Sequence, residues 1–375
     1  MFNAILLASY GGPEAPEEVA PFLDLILSGT RTSAARRSAV LARYLRFGGV
    51  SPLPGECRRF LSTLRLKLLE NHSPVKLYWG NLYARPFMDD AFEKMERDGV
   101  KNVLVFDASA FGSVVCQRYV SVVRNSLAKR SPDFFQALTL RHVPPFFEMP
   151  DFQHAIADLV RKSISSHEIV DSDARSLILF TAHSIPTEWS DVSHYRRQIL
   201  YACIETLKFV FSETLKNETP NHTPGNFPSD VLTFPLSSAS IQIPDDLRNK
   251  LRRCRFDSAL AFQSRSGSPF TPWLEPDVKE FLTSYKKQNP TLGSVIVVPI
   301  GFFFDNMETI FDLDVETRAV CDELGIAYHR ARCCGVSNDM VEAICRLAEK
   351  EPDEFPICQC GDGQCDLSCR LNPTF

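Results

Sequence analysis

Residues 177–186 read LILFTAHSIP, an apolar run that ends abruptly in small and polar residues. The same pattern recurs in five other stretches: AILLAS at 4–9, KLYW at 76–79, VLVFD at 103–107, LAF at 260–262 and VIVVP at 295–299. Continuous apolar strands that alternate with longer amphipathic segments are typical of parallel sheets covered on both faces. Because the pattern occurs three times before about residue 145 and three times after it, we predict an α/β protein with two doubly wound Rossmann-like lobes.

The predicted lobes cover residues 1–145 and 146–350, and residues 351–375 form a cysteine-rich tail. Residues 217–245 interrupt the alternation of strands and helices with many Pro, Asn, Thr and Ser residues. This composition favours a surface loop inserted into the second lobe, with a functional lid as the alternative.

The composition narrows the classes of partner. The chain of 375 residues carries a net charge of −5, so no basic field favours nucleic acid as a partner. No apolar run is long enough for a transmembrane segment, and the N-terminus lacks the basic region of a signal peptide. We therefore predict a cytoplasmic protein whose 12 cysteines are buried or ligate metal rather than forming disulfides.

His183 follows the strand at 177–181, at the carboxyl end where parallel sheets bind their ligands. Pro186 disfavours continuation into a helix and stiffens the loop that carries the imidazole. Position alone leaves two interpretations open, a structural histidine and a functional one.

The stretch 298–314 leaves a strand, crosses three consecutive phenylalanines and opens a helix that is acidic at its start. On that helix Glu308, Asp312 and Glu316 are spaced four residues apart, which predicts a single stripe. The stripe either complements the helix dipole or forms a carboxylate ladder that leads cations or protons to an aromatic-walled cleft.

Five motifs occur in one order from residue 4 to about 345: SYGGPE at 9–14, FGGVSPL at 47–53, HSIP at 183–186, QSR and PWLEP between 263 and 276, and PIGF and DNMETIFDLD between 299 and 314. In this order and spacing the chain resembles ferrochelatases, and its details are most similar to the bacterial coproporphyrin III ferrochelatases of the actinobacterial type. The resemblance implies a class II chelatase fold with the active-site cleft between the two lobes. It also implies a lyase of heme biosynthesis that inserts Fe²⁺, its substrate, into a porphyrin, with coproporphyrin III favoured.

The resemblance assigns the chemistry to His183 and Glu308. A neutral imidazole can accept a pyrrole proton or ligate iron near neutral pH. A carboxylate is a hard ligand for Fe²⁺ and a second proton acceptor. Many ferrochelatases have His two residues before this Glu, whereas this chain has Asn306, which puts a proton relay through that position in doubt.

Further positions match porphyrin-contacting sites of the family: Tyr10, Arg43, Tyr44, Ser51 and Tyr119. The resemblance places Tyr10 on the face of the macrocycle opposite His183, and an arginine suits a propionate by its charge and fork geometry. Without the resemblance, each of these residues would be interpreted as ordinary packing or surface charge.

The tail carries four thiols within twelve residues: Cys358, Cys360, Cys365 and Cys369. A set of thiolates suits an iron–sulfur cluster or a structural zinc ion. Because some ferrochelatases carry a cluster at the C-terminus, the resemblance favours a 2Fe–2S cluster, with zinc and a tail of free thiols as the alternatives.

Three other functions stay open: a protoporphyrin IX ferrochelatase, a class II chelatase that inserts cobalt or nickel into another tetrapyrrole, and a tetrapyrrole or iron sensor without catalysis. The motifs at 9–14 and 263–276 favour iron and porphyrin, and Asn306 keeps the sensor open. The expected partners are the porphyrin substrate and handover proteins of the heme pathway.

Overall fold

The computed structural model describes residues 1–28, 33–112, 114–165, 174–212, 244–266 and 270–355. The strands within these residues are β1 (Ala4–Ser9), β2 (Lys76–Asn81), β3 (Asn102–Asp107), β4 (Thr139–His142), β5 (Arg175–His183), β6 (Phe256–Gln263), β7 (Leu292–Val298) and β8 (Ala327–Arg330).

The helices within the same residues are α1 (Pro16–Ile26), α2 (Ala34–Arg46), α3 (Leu53–Glu70), α4 (Met88–Arg97), α5 (Val114–Leu127), α6 (Pro132–Ala137), α7 (Pro150–Ser165), α8 (Thr187–Ser193), α9 (Tyr195–Val210), α10 (Asp245–Arg253), α11 (Val278–Gln288), α12 (Arg318–Glu323) and α13 (Asn338–Ala348). A π-helix spans Thr309–Thr317, and a short 3-10 turn spans Pro352–Glu354. None of the described helices has both the length and the apolar character needed to cross a bilayer.

The strands form two four-stranded sheets with the orders β2-β1-β3-β4 and β6-β5-β7-β8. Every pairing within the sheets is parallel. The central strand β1 is buried throughout, which explains why its sequence is a continuous apolar run rather than an alternating one. The predicted α/β class with two doubly wound lobes is confirmed.

The last strand of each sheet escapes prediction from the apolar pattern. β4 has the sequence TLRH and β8 has the sequence AYHR, and most of their residues are only partly buried. Each pairs with a single neighbour, β3 or β7, and therefore lies at the edge of its sheet. Short, polar edge strands are common because they discourage pairing with other chains, and the same polarity hides them in the sequence.

The described chain divides into two compact units that do not follow the chain order of the predicted lobes. The first unit contains Met1–Phe146, Phe303–Met307 and the described residues from Gly335 onward, and the second contains Phe147–Phe302 and Glu308–Cys334. Residues after Gly335 return to the first unit because α13 packs on α3, where Lys67 Nζ lies 3.1 Å from Glu342 Oε1.

Each unit has its own core. In the first unit, α4 and α5 pack on the sheet around Phe92 and Val105, both fully buried. In the second, α11 and the π-helix pack on the other sheet around Leu282 and Leu313. Burial of side chains of this size contributes about 1.5–3 kcal/mol each, so the helices are held mainly by their apolar faces.

Two predicted features fall outside the described residues. The predicted inserted loop at 217–245 lies outside them except for its last two residues, which lead into α10. Cys358, Cys360, Cys365 and Cys369 also lie outside the described residues.

Candidate active site

His183 is the last residue of β5, and its register partner on β6 is Gln263. Its ring nitrogen Nδ1 lies 2.6 Å from the carbonyl oxygen of Ser184. A carbonyl oxygen can only accept a hydrogen bond, so Nδ1 carries the proton in the neutral ring and Nε2 keeps its lone pair. The contact thus selects the tautomer in which Nε2 can bind a proton or a metal ion.

Nε2 of His183 faces Glu308, and Nε2 and Oε1 are 3.8 Å apart. This distance is too long for a direct hydrogen bond. A divalent transition-metal ion binds nitrogen and oxygen ligands at about 2.1 Å, so two ligands of one ion can lie up to about 4.2 Å apart. The His183 side chain is 28% exposed and that of Glu308 is 50% exposed. The two ligand atoms can therefore share a small cation, and both groups are accessible.

The turn that follows His183 is braced by the proline-rich loop around Trp273. The backbone hydrogen bonds are Ser184 N to Gln263 O at 2.7 Å, Leu274 N to Ile185 O at 3.0 Å and Thr187 N to Pro272 O at 2.9 Å. The Ser184 hydroxyl also donates to the Leu274 carbonyl at 2.8 Å. The loop that carries the PWLEP motif thus holds the residues directly after the imidazole.

Gly301 lets the end of β7 approach the end of β5. Its amide donates to the Thr181 carbonyl at 3.1 Å. A Cβ at this position would lie 2.6 Å from Ala182 Cα, which no ordinary side chain tolerates without movement of the backbone. The next residue, Phe302, brings its ring centroid to 6.4 Å from that of His183.

The three consecutive phenylalanines at 302–304 separate. Phe302 lies beside His183, whereas Phe303 and Phe304 are 2% and 3% exposed and belong to the first unit. There Phe303 packs 5.2 Å from Phe106, and Phe304 packs 5.7 Å from Phe60, between ring centroids. Two of the three rings therefore belong to the core, and Phe302 alone of the run lies beside the histidine.

The helix after Glu308 is a π-helix rather than the expected ordinary helix. The wider turn of a π-helix changes how residues four apart align, and such turns are frequent at functional sites. Asp312 accepts a hydrogen bond from the Ser264 hydroxyl, and Glu316 accepts one from Lys279 Nζ at 2.7 Å. Two of the three carboxylates of the stripe are therefore already hydrogen-bonded to side chains of the second unit.

The charge of Lys279 is secured by this contact. Burial would lower the pKa of Lys279, but the hydrogen bond to Glu316 and the charge of that carboxylate outweigh it, so the pKa is raised. The ammonium group therefore stays protonated and offsets the charge of Glu316.

The first unit brings two of the predicted porphyrin contacts into one apolar cluster. The ring of Tyr10, directly after β1, lies 4.7 Å from that of Tyr83 and 6.4 Å from that of Phe22. The ring of Tyr44 lies 5.8 Å from that of Phe22. Tyr10 and Tyr44 are thus close neighbours of the same phenylalanine.

The other predicted contacts differ in exposure. Ser51 is buried, and its amide donates to the Pro13 carbonyl at 2.8 Å. Arg43 is exposed on α2. Tyr119 is 3% exposed and packs in the core of the first unit, where burial and then the charge of Asp107 raise its pKa. The phenol of Tyr119 thus stays protonated, and a porphyrin contact there stays a prediction.

A model of the family described as Ferrochelatase matches residues 2–351 of the chain. The chain belongs to the ferrochelatase family. Its reaction is therefore the insertion of ferrous iron into a porphyrin in heme biosynthesis, and it is a lyase of the porphyrin metal chelatase type. The resemblance seen in the five motifs is confirmed.

Three relatives illustrate the similarity. The Ferrochelatase of Rhodopirellula baltica is 31% identical over 93% of this chain and 86% of its own length. The Coproporphyrin III ferrochelatase of Mycobacterium tuberculosis is 35% identical over 88% of this chain and 80% of its own. The Coproporphyrin III ferrochelatase of Streptomyces coelicolor is 30% identical over 99% and 92%.

One residue in contact with His183 could not be found from the sequence. Tyr195 is 5% exposed, and its hydroxyl donates to the backbone carbonyl of His183 at 3.3 Å. Burial, and then the charge of Glu308, raise the pKa of Tyr195, so the phenol stays protonated. The only signal in the sequence is a tyrosine twelve residues after the histidine, which carries no meaning until the chain is folded.

Proposed function

We propose that this ferrochelatase acts on coproporphyrin III and that His183 and Glu308 receive the iron and the pyrrole protons. The observation that carries the site assignment is that His183 Nε2, which keeps its lone pair in this tautomer, lies 3.8 Å from a carboxylate oxygen of Glu308. The choice of porphyrin is supported by the relatives from Mycobacterium tuberculosis and Streptomyces coelicolor, which are coproporphyrin III ferrochelatases.

The reaction requires two protons to leave the pyrrole nitrogens as the metal enters. In our proposal His183 Nε2 accepts a pyrrole proton, because the contact of Nδ1 with the Ser184 carbonyl leaves the lone pair on Nε2. Glu308 offers Fe²⁺ a hard oxygen ligand and accepts the second proton. The porphyrin loses two protons and gains Fe²⁺, so its net charge is unchanged. The amide of Asn306 cannot take up a proton, so Glu308 handles more of this transfer than in relatives with a histidine there.

The porphyrin is proposed to contact Tyr10, Arg43, Tyr44, Ser51 and Tyr119. The clustering of Tyr10 and Tyr44 around Phe22 supports an apolar surface that suits a flat macrocycle. The exposed guanidinium of Arg43 suits a propionate. Coproporphyrin III carries more propionates than protoporphyrin IX, so removal of Arg43 is expected to raise KM more for coproporphyrin III.

The cysteine tail is proposed to hold a 2Fe–2S cluster through Cys358, Cys360, Cys365 and Cys369. The donor set supports this, because four thiolates suit such a cluster, although they also suit zinc. The protein purified without oxygen is expected to be coloured and to contain iron. A colourless protein that contains zinc and no iron contradicts the cluster. The cytoplasmic location and the handover partners of the heme pathway belong to the same proposal.

The test compares iron insertion into coproporphyrin III and protoporphyrin IX by the wild type, His183→Ala and Glu308→Gln. We expect the wild type to prefer coproporphyrin III and each variant to lose at least about 100-fold in kcat, as is typical for loss of a general base. Equal turnover by all three proteins would refute the assignment of the pair. No turnover by the wild type with either porphyrin would instead favour a tetrapyrrole or iron sensor, and turnover with cobalt or nickel alone would favour another chelatase.

A further inference from the structure

Tyr195 and His183 meet through one peptide group. The carbonyl of His183 and the amide of Ser184 belong to the same planar unit. The carbonyl accepts the hydrogen bond from the Tyr195 hydroxyl at 3.3 Å, and the amide donates to the Gln263 carbonyl at 2.7 Å. A peptide plane that is bonded at both its polar groups has a defined orientation.

The orientation of this peptide passes on to the imidazole. Ser184 contributes the amide of this peptide and the carbonyl of the next one. His183 Nδ1 lies 2.6 Å from the oxygen of that Ser184 carbonyl. If the first peptide rotates, the Ser184 carbonyl moves away from Nδ1. The ring then loses the contact that selects its tautomer and directs Nε2 toward Glu308.

The residue before Tyr195 has a strained backbone conformation. His194, between α8 and α9, has a φ of 54°, in the left-handed region. A non-glycine residue there costs about 1–2 kcal/mol. Its carbonyl begins α9 by accepting from the Gln198 amide at 3.0 Å. Such strain persists where the surrounding structure requires it, and it is frequent at functional sites.

We propose that Tyr195 is a positioning residue of the iron-insertion site, whose hydroxyl fixes the His183–Ser184 peptide so that Nδ1 keeps its proton and Nε2 faces Glu308. This rests on the proposed roles of His183 and Glu308. Tyr195 need not touch iron or porphyrin. Its effect runs through the backbone of His183.

The test begins with Tyr195→Phe, which keeps the buried ring and removes the hydroxyl alone. We expect kcat for iron insertion to fall about tenfold, in the range typical of outer-shell partners of metal-binding histidines, while KM for the porphyrin changes little. Selective ¹⁵N labelling of the histidines gives a readout besides activity. The His183 signal, assigned by its loss in His183→Ala among the eight histidines, should report Nδ1–H in the wild type and a mixture of tautomers in Tyr195→Phe.

Tyr285→Phe is the matched control. Tyr285 is also 5% exposed and in the second unit, and its hydroxyl donates to Asp257 Oδ2 at 2.8 Å. Asp257 also forms a salt bridge with Arg175, so this network is structural. Tyr285→Phe should lower the thermal midpoint while kcat and the His183 tautomer stay at wild-type values.

The positioning role is overturned if Tyr195→Phe keeps wild-type kcat and a pure Nδ1–H tautomer, or if the wild type itself holds His183 as Nε2–H. The second result needs no variant and therefore does not depend on the folding of Tyr195→Phe. Failure of the proposed function appears differently, as a wild type without iron insertion whose His183 tautomer still responds to Tyr195→Phe.

Discussion

The two sheets share one strand order, yet the carboxyl ends of their central strands are built differently. In the first sheet β1 ends at Ser9, which is fully buried and accepts hydrogen bonds from Trp79 Nε1 at 3.1 Å and Cys57 Sγ at 3.5 Å. Its hydroxyl donates to Asn81. In the second sheet β5 ends at His183, whose side chain is 28% exposed and whose Nε2 faces Glu308.

The comparison separates topology from chemistry. The parallel topology brings polar residues to the same edge of both sheets. At the first edge the neighbours of Ser9 saturate its hydroxyl, so the group stabilises the fold. At the second edge Nδ1 of His183 is hydrogen-bonded, whereas Nε2 keeps its lone pair. The fold thus offers two equivalent positions, and the local partners distinguish the proposed site at His183 from the structural position at Ser9.

The largest effect in this comparison is expected from Gly301→Ala. The new Cβ would lie 2.6 Å from Ala182 Cα, so the end of β5 must move. Displacements of about 1 Å can cost about 100-fold in rate, and we expect kcat for iron insertion to fall by 10- to 100-fold.

Gly55→Ala is the control for this substitution. A Cβ at Gly55, within α3 of the first unit, meets nothing within 4 Å. It should leave kcat unchanged and stabilise the protein by about 0.5–1 kcal/mol, because alanine favours a helix over glycine. Wild-type kcat in Gly301→Ala would show that the end of β5 tolerates displacement.

Ser9→Ala, in contrast to Gly301→Ala, should lower stability more than it lowers kcat. The change leaves the Trp79 indole and the Cys57 thiol without their acceptor. We expect the free energy of unfolding in urea to fall by about 2 kcal/mol, while kcat changes far less than in His183→Ala. Thr63→Ala removes an exposed hydroxyl from α3 and should change stability by no more than about 0.5 kcal/mol. If Ser9→Ala matches Thr63→Ala in stability, the first edge is not held by this network.

The pH dependence of stability tests the burial of the Cys57 thiol beside Ser9, and a smaller effect is expected here. Burial raises the pKa of Cys57 from its ordinary 9.0 to about 12. Between these values the unfolded chain has lost this proton and the folded chain has kept it, so stability falls as pH rises. This contribution is intact below pH 9, and its slope is at most about 1.4 kcal/mol per pH unit.

Cys57→Ala should remove that contribution. The difference in unfolding free energy between wild type and variant is expected to be constant below pH 9 and to shrink above it. Parallel curves for the two proteins up to pH 10.5 would mean that the thiol ionises as easily in the folded protein as in the unfolded chain.

The smallest effect is expected from Tyr328→Phe in the second unit. Tyr328 is 8% exposed, and its hydroxyl has no hydrogen-bond partner among the described residues. Its ring packs 4.4 Å from the Arg318 guanidinium, a contact that phenylalanine keeps. Loss of an unpaired buried hydroxyl should leave the stability unchanged or increase it by up to about 1 kcal/mol, so the thermal midpoint should stay the same or rise. A clear drop in the midpoint would indicate that the Tyr328 hydroxyl hydrogen-bonds to a bound water molecule.

Sequence and structure agree where the determining signal is local. The six apolar runs predicted β1, β2, β3, β5, β6 and β7, because buried parallel strands need apolar side chains on both faces. β4 and β8 were missed because they are short, polar strands whose residues are mostly only partly buried, so they carry no apolar run. The π-helix after Glu308 was missed as well. Its backbone hydrogen bonds join residues five apart rather than four, and the spacing of the side chains in the sequence does not show this difference.

The sequence by itself determined the family, the reaction and the strand end that carries His183. These depend on side-chain chemistry and on motifs that are contiguous along the chain. Only the tertiary structure decided the tautomer of His183, its 3.8 Å separation from Glu308 and the participation of Tyr195. It also decided that Phe302 lies beside the histidine while Phe303 and Phe304 enter the core. Each of these is a distance or an angle between groups that only folding brings together, and hydrogen bonds and metal ligation depend on such geometry to within tenths of an ångström.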